Sequence, residues 1–172
     1  MKIKTLLVMS FVLFISSNYF AQSISLGPQL GFVKSIDADQ TSLMPGLAAR
    51  LSLMGFGIEG GIYYKSEDFQ NGAVKTKSYP INITLLWKVL PIINAEAGFG
   101  WYNTKIENSN ILSAIRNETK NNAGYHVGAG LELPLGGITV TGDIRYVFLN
   151  IASATSFKSN FTVVMIGALF TL

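Results

Sequence analysis

The chain has 172 residues, of which 49% are hydrophobic and only 13% are charged. Soluble globular chains carry roughly 25% charged residues, so this composition disfavours a surface that faces water all round. The length suits one domain, and the absence of cysteine excludes a disulfide framework, thiolate metal sites and a lipid-modified N-terminal cysteine.

The first 21 residues predict a secretory signal peptide that is removed. Lys2 and Lys4 form a basic start, an apolar segment runs from Leu6 to Ile15, and Ala21 is a small residue at the expected cleavage site. The mature domain would then comprise residues 22–172. Without the two lysines, 11 basic residues stand against 10 acidic ones, so the mature chain offers no basic stripe to nucleic acid.

After residue 22 the chain alternates between apolar residues and residues that are small, polar or charged. Ile58 and Ile62, for example, share one face of a segment whose other face carries Glu59 and Lys65. This alternation predicts strands with one face toward lipid and one toward a polar interior. No later apolar run is long enough for a spanning helix, and lipid leaves an open sheet edge without partners. Such a chain therefore spans a membrane only as a closed barrel.

We predict an all-β fold, namely an eight-stranded antiparallel up-and-down transmembrane β-barrel. The eight segments have about the 9–11 residues of a tilted membrane strand, and they lie near Ile24 to Lys34, Leu43 to Leu53, Phe56 to Lys65, Ser78 to Lys88, Ile92 to Tyr102, Ala123 to Pro134, Ile138 to Phe148 and Phe161 to Leu172.

The connections between these segments alternate between short and long. The tight turns are predicted at Met54-Gly55, Val89-Leu90-Pro91 and Leu135-Gly136-Gly137. The long loops are predicted at Ser35 to Ser42, Ser66 to Lys77, Asn103 to Asn122 and Leu149 to Asn160. Bacterial outer-membrane barrels have this asymmetry, which predicts extracellular long loops and periplasmic termini.

The short turns also predict a register, because a slip of one residue would turn a strand inside out. With a turn at Met54-Gly55, Leu53 faces Phe56 and Arg50 faces Glu59. A tight turn after Pro134 would place Arg145 level with His126.

The inward faces collect charged groups in a barrel just wide enough for side chains to fill. Four cations and four carboxylates balance there. Two roles are open, a proton or ion path and a structural ion-pair network, and we favour the network, whose members are Arg50, Glu59, Lys65, Lys88, Glu96, His126, Glu132, Asp143 and Arg145.

Large aromatic residues gather near the strand ends on the apolar face. Such rings prefer the two membrane interfaces, which favours two aromatic belts over packing in a soluble sandwich core. The belt residues are Phe32, Phe56, Tyr64, Tyr79, Trp87, Trp101, Tyr125, Tyr146, Phe148 and Phe170.

Catalysis is not expected, although His126 and Asp143 invite comparison with barrels that modify lipids or cleave proteins. Both residues point into the interior, and no nucleophile elbow, phosphate loop or metal-ligand cluster occurs in the sequence. We therefore predict no catalytic, cofactor-binding or metal-binding residue. The loop at 103–122 could hold an unknown ligand, but a solvated cap is the simpler interpretation.

Three further runs of the sequence are Glu96 to Gly100, Gly128 to Glu132 and Asp143 to Tyr146. Together they resemble the small outer-membrane β-barrel domain proteins of Bacteroidota. Proteins of this group are often labelled porin-family or PorT-like and are similar to the OmpA-type eight-stranded barrel. The resemblance implies contact with outer-membrane lipid and lipopolysaccharide and insertion by the barrel assembly machinery. For some PorT-like members it also implies a part in protein secretion.

The sequence thus predicts an integral outer-membrane protein with a structural or surface-interaction role and no enzymatic activity. A narrow pore for small solutes and a secretion-associated barrel are the alternatives. A soluble barrel of lipocalin type, with apolar faces inward around a hydrophobic ligand, is a further alternative.

Overall fold

Nine strands form one closed antiparallel sheet. The computed structural model describes residues 23–36, 40–53, 55–69, 74–108, 118–149 and 160–172, so the signal peptide predicted at 1–21 lies outside the described residues. The strands are β1 Ser23–Ser35, β2 Ser42–Leu53, β3 Phe56–Tyr63, β4 Lys65–Phe69, β5 Val74–Leu90, β6 Ile93–Asn108, β7 Glu118–Leu135, β8 Ile138–Leu149 and β9 Phe161–Thr171.

The nine strands make an eight-stranded barrel, because β3 and β4 are consecutive parts of one barrel strand. Both pair with β5, and only Tyr64 separates them. The sheet closes where β1 pairs antiparallel with β9. The predicted fold class is therefore confirmed. Among the described residues, no helix is long and apolar enough to cross a membrane.

The break at Tyr64 has a local cause in the neighbouring strand. Pro45 of β2 accepts a hydrogen bond from the Tyr64 backbone N–H at 2.9 Å, but proline has no N–H to return. The ladder between β2 and the third barrel strand therefore stops at the pair Gly46 and Tyr63.

The two faces of the barrel wall are inverted relative to a water-soluble protein. Along β3, Ile58 and Ile62 are about half exposed, whereas Glu59 and Tyr63 are buried. The same alternation runs through every strand for which both faces are described. Apolar side chains therefore cover the outside and polar ones fill the inside, which is the reverse of a lipocalin-type interior.

The predicted register of the first hairpin is confirmed. Leu53 lies opposite Phe56, and Arg50 lies opposite Glu59. The turn residue Gly55 has φ of 88°, in the left-handed region that glycine adopts without steric cost.

The prediction that Arg145 lies level with His126 is wrong. Arg145 pairs with Gly128, and His126 pairs with Val147. The turn consists of Gly136 and Gly137 alone, since Leu135 and Ile138 still pair. Two-residue loops with positive φ suit the twist of a hairpin, and Gly136 has φ of 71°. The change moves the register by two residues, so no side chain changes face.

The turn between β5 and β6 also differs from the prediction. Strand β5 continues to Leu90, which pairs with Ile93, so the turn consists of Pro91 and Ile92. A register shift between Lys88 and Leu90 accommodates the extra residue. A bulge of this kind is common at barrel rims.

Two of the predicted long loops are largely strand. Strand β4 extends to Phe69 and β5 begins at Val74, within the loop predicted at Ser66 to Lys77. Likewise β6 extends to Asn108 and β7 begins at Glu118, which leaves 109–117 outside the described residues. Apolar alternation marks only the part of a strand whose outer face is apolar, whereas backbone pairing continues beyond it.

Replacing Gly55 by alanine should lower the free energy of unfolding by about 1–2 kcal/mol, because an L-residue is strained in the left-handed region. Gly60→Ala is the matched control, since a Cβ at Gly60 would meet no atom within 4 Å. Urea titration of the detergent-folded proteins measures both changes. Equal losses in the two variants would contradict the role of Gly55.

Candidate functional site: the layered barrel interior

The barrel interior is divided along its axis into distinct layers. From the short-turn end to the long-strand end, strand register gives a polar vestibule, an ionic layer, an apolar layer and an outer ion pair. Eight of the nine predicted interior residues are at least nine-tenths buried. The ninth, Lys88, lies at the vestibule with its side chain 36% exposed.

Glu59 is the centre of the ionic layer. Its Oε2 accepts hydrogen bonds from Arg50 Nη2 at 2.5 Å and from Gln29 Nε2 at 3.1 Å. Its Oε1 accepts one from Arg145 Nη2 at 2.8 Å. Arg50 is on the adjacent strand, but Arg145 is on β8, so this carboxylate joins opposite walls of the barrel.

The two arginines extend the ionic layer to the remaining carboxylates. Arg50 Nη1 donates to Glu132, whose other oxygen lies 3.0 Å from Lys88 Nζ. Arg145 Nε donates to Glu96 Oε2 at 2.5 Å. Charge-assisted hydrogen bonds of this kind are the strong ones in protein interiors. The layer therefore ties β2, β3, β5, β6, β7 and β8 together across the interior.

Asp143 is the least well compensated carboxylate of this layer. Its closest described cation is Arg145, with Nη2 4.0 Å from Oδ2. Asp143 Oδ1 and Glu96 Oε1 both lie too close to the position of a Cβ atom at residue 130 for any residue other than Gly130 to fit without a shift. The glycine thus provides the room in which two acidic side chains meet.

His126 and Asp143 are not brought together in this structure. Its Nε2 lies 2.9 Å from Thr84 Oγ1, while Asp143 pairs with Gly130, four residues away from His126 along β7. The imidazole ring occupies the space above Gly98, where an added Cβ would collide with it. The His126–Asp143 pair considered from the sequence is therefore not formed.

An apolar layer closes the interior on the long-strand side of the ionic layer. Within it, Tyr102 and Phe161 meet edge to face, with ring centroids 6.0 Å apart and ring planes at 80°. This layer was not predicted from the sequence. The signal that could have indicated it is the alternation along the last strand, which places Met165 and Val163 on the inward face. Its buried members are Val33, Met44, Tyr63, Tyr102, Val147, Phe161, Val163 and Met165.

A buried ion pair lies beyond the apolar layer. Lys65 Nζ donates to Glu67 at 2.7 Å and lies 4.0 Å above the centre of the Phe161 ring. Ser35 Oγ on β1 donates to the other oxygen of Glu67 at 2.6 Å. The sequence prediction assigned Glu67 to a loop. The described interior consequently holds five carboxylates against four cations, and the predicted balance of four to four is wrong.

A cavity of about 240 Å³ forms the vestibule at the short-turn end. Arg50, Lys88 and Glu132 line its inner side, and serine and threonine residues line its mouth. These charged groups already bond to one another, and the apolar layer lies beyond them. Among the described residues, no group of three or more His, Cys, Asp or Glu could hold a metal ion.

The ten predicted belt residues lie on the outer face of the barrel, where eight are more than one-third exposed and Tyr146 and Phe148 are half-buried. At the short-turn end, Phe56 and Trp87 stack at 6.4 Å. At the other end, the rings of Tyr64 and Tyr79 are 5.4 Å apart. Their role at membrane interfaces stays a prediction.

Several solved structures of outer-membrane proteins share this fold. Ail of Yersinia pestis, the attachment invasion locus protein, solved with the heparin analogue sucrose octasulfate, matches with a TM-score of 0.59 and 17% identity over 88% of this chain and 97% of that one. A major outer membrane protein from Thermus thermophilus matches with a TM-score of 0.59 and 12% identity over 88% and 100%. Neisserial surface protein A matches with a TM-score of 0.54 and 10% identity over 88% and 97%.

At these identities the likeness shows the fold alone. No protein-family model and no curated protein matches the chain. The chain is therefore an eight-stranded antiparallel barrel of the architecture seen in small outer-membrane proteins.

Replacing Glu59 by glutamine should lower the free energy of unfolding by about 3–5 kcal/mol, because two buried arginines lose a shared partner. Asp68→Asn is the control, since Asp68 and Lys75 form an exposed pair at 3.8 Å and such pairs contribute only about 0–1 kcal/mol. Urea titration of the detergent-folded variants compares them. A Glu59→Gln loss no larger than the Asp68→Asn loss would show that the ionic layer contributes little.

Proposed function

We propose that the protein is an integral outer-membrane barrel with a structural or surface-interaction role and no enzymatic activity. The observation that carries this proposal is the inverted wall. Large side chains such as Ile58, Leu85 and Trp87 are half exposed, while Arg145 and Glu59 are almost fully buried. Water would penalise that exterior, whereas hydrocarbon would favour it. The fold shared with Ail and with the Thermus protein supports the same location.

The proposed orientation places the short turns and both chain ends in the periplasm and the long-strand end outside the cell. The uneven strand lengths support it, since outer-membrane barrels carry their longer segments extracellularly. In this arrangement residues 1–21 would serve as the removed signal peptide.

A surface-interaction role is supported by the shape of the long-strand end. Strands β5, β6 and β7 have 17, 16 and 18 residues, whereas β1, β8 and β9 have 13, 12 and 11. One side of the wall therefore projects beyond the other as a sheet. Connecting segments on a rigid scaffold commonly carry binding function, so the hairpin around 103–122 is the proposed site of contact with a partner.

The relationship to Bacteroidota barrels of the PorT-like group is also a proposal. The three runs that carry the resemblance lie on consecutive strands β6, β7 and β8, and they contribute Glu96, Glu132, Asp143 and Arg145 to the ionic layer. The shared pattern would then describe how the interior is filled. No described residue argues for a part in secretion.

Ile83→Lys should destabilise the barrel in phospholipid vesicles by about 2–4 kcal/mol, because a lysine would face the bilayer midplane. Ile83 is 38% exposed, midway along β5 between Tyr79 and Trp87. Leu90→Lys is the control at the rim, where the expected cost is about 0–1 kcal/mol. Urea titration in vesicles measures both. Equal small effects would mean that the outer face does not contact lipid.

Wild-type protein in planar bilayers should show no steady open current, because the ionic and apolar layers fill the interior in series. The sample is folded protein, which is identified by migration on a denaturing gel that changes on boiling. The control is the boiled protein. A steady conductance given by the folded sample alone would favour the narrow pore over the closed barrel.

A further inference from the structure

Two carboxylates of the ionic layer face each other with no donor between them. Asp143 Oδ1 and Glu96 Oε1 both lie within 2.5 Å of one point, the position that a Cβ atom of residue 130 would occupy. Both residues are more than nine-tenths buried. An ionised carboxylate only accepts hydrogen bonds, so these two oxygens cannot bond to each other while both groups carry a charge.

The facing oxygens also lack a hydrogen-bond partner elsewhere in the described part of the chain. Neither oxygen of Asp143 has one, and neither does Oε1 of Glu96. Arg145 directs its Nε to Glu96 Oε2 and its Nη2 to Glu59 Oε1, which leaves Nη2 4.0 Å from Asp143 Oδ2. A buried acceptor without a donor is costly, so Asp143 needs a donor that the described wall does not supply.

The ionic layer has one negative charge in excess when every group in it is ionised. The pair of Lys65 and Glu67 lies beyond the apolar layer and is balanced by itself. The described groups that remain are four carboxylates and three cations, namely Glu59, Glu96, Glu132 and Asp143 with Arg50, Lys88 and Arg145. An uncompensated charge in a narrow interior is costly, so one added positive charge would stabilise the layer.

A proton fits the space between the two carboxylates better than a metal ion does. Hard cations such as Ca²⁺ take about six to eight oxygen ligands. Two carboxylate oxygens converge on this point, and no described group of three or more His, Cys, Asp or Glu could hold a metal ion. A proton requires only two oxygens, because a protonated carboxyl group donates to an ionised one.

We propose that Glu96 and Asp143 share one proton at neutral pH and so form a proton-binding site inside the barrel. Two carboxylates in one site do not ionise independently, because the first charge repels the second. The shared proton supplies the missing donor and leaves the described ionic layer with no net charge. Gly130 is necessary for the site, since a side chain at that position would separate the two groups. The site concerns the interior alone and does not depend on the membrane location.

The stability of the folded barrel should therefore fall as the pH rises. The unfolded chain releases this proton above the range in which ordinary carboxyl groups titrate, whereas the folded protein keeps it. The equilibrium constant for unfolding should then rise about tenfold per pH unit for as long as the folded protein holds the proton.

Other titratable or charged groups share the interior with the pair. Of these, only His126 has its ordinary titration range between about pH 5 and 7, and every variant below retains it, so its contribution cancels. Strand β9 contributes the apolar Met165 opposite Asp143. The titratable or charged groups are Arg50 on β2, Glu59 and Tyr63 on β3, Lys88 on β5, His126 and Glu132 on β7, and Arg145 on β8.

Urea titration of the detergent-folded barrel at several pH values between about 5 and 7 tests the proposal. The unfolding constant of wild type should rise about tenfold more per pH unit than that of Asp143→Asn, whose amide donates to Glu96 without a proton to release. Glu96→Gln should lose the same pH dependence, because one carboxylate remains in the site. Glu132→Gln is the matched control and should keep the wild-type slope, since Glu132 is buried but bonded to Arg50 and Lys88.

Infrared spectroscopy of the folded barrel at pH 7 provides a measurement that does not involve unfolding. Wild type should show the carbonyl stretch of a buried protonated carboxyl group, and the band should shift when aspartate and glutamate carry ¹³C in their carboxyl groups. Asp143→Asn and Glu96→Gln should both lack this band, and Glu132→Gln should retain it. If one variant does not fold, the wild-type band and the other variant decide the question.

Three results would overturn the shared proton. The first is equal pH slopes for wild type and Asp143→Asn, and the second is the absence of a protonated carboxyl band from wild type at pH 7. The third is a wild-type stability that rises with sodium chloride but not with choline chloride, which would place a sodium ion between the carboxylates in place of the proton.

Discussion

The interaction on which the structure depends is the sharing of Glu59 between Arg50 and Arg145. A charge inside a narrow barrel has little water to solvate it, so each ion needs partners supplied by the wall. One carboxylate holding two guanidinium groups from opposite sides meets that need and fixes the distance across the interior. Shape and charge are thus set by the same contacts, because the groups that neutralise each other are also the groups that fill the space.

Closure of the backbone and filling of the interior solve separate problems. Pairing of β1 with β9 leaves no open edge for lipid to meet, which is the condition for a sheet to span a bilayer. The layers inside the barrel then determine whether a solute can pass through the interior. An ion or a polar solute on its way through the interior would meet both the ionic layer and the apolar layer. A substitution that loosens the packing of one layer leaves the other in place.

The sequence predicted which way each side chain points but not how far along the axis it lies. Parity follows from the pleat, so Arg50 and Glu59 could be paired from a two-residue turn alone. Heights depend on which residues form the turn, and the turn at Gly136 and Gly137 places Arg145 opposite Gly128 instead of His126. The apolar layer and Glu67 were missed because hydrophobic patterning reports the apolar outer face of the wall. It carries no information about how side chains stack inside, or about strand pairing beyond the apolar part.

The interruption at Tyr64 has a mechanical consequence for the exterior opening. Above it, among the described strands, β4 pairs on one flank only, with β5. On its other flank β4 lies against β2, and among the described side chains the carboxylate of Glu67 links it to β1 by accepting a hydrogen bond from Ser35. At this end the wall is therefore held together partly by side-chain hydrogen bonds, because the backbone pairing with β2 is interrupted. Widening the opening would break a few of these polar bonds and leave the backbone pairs below them intact.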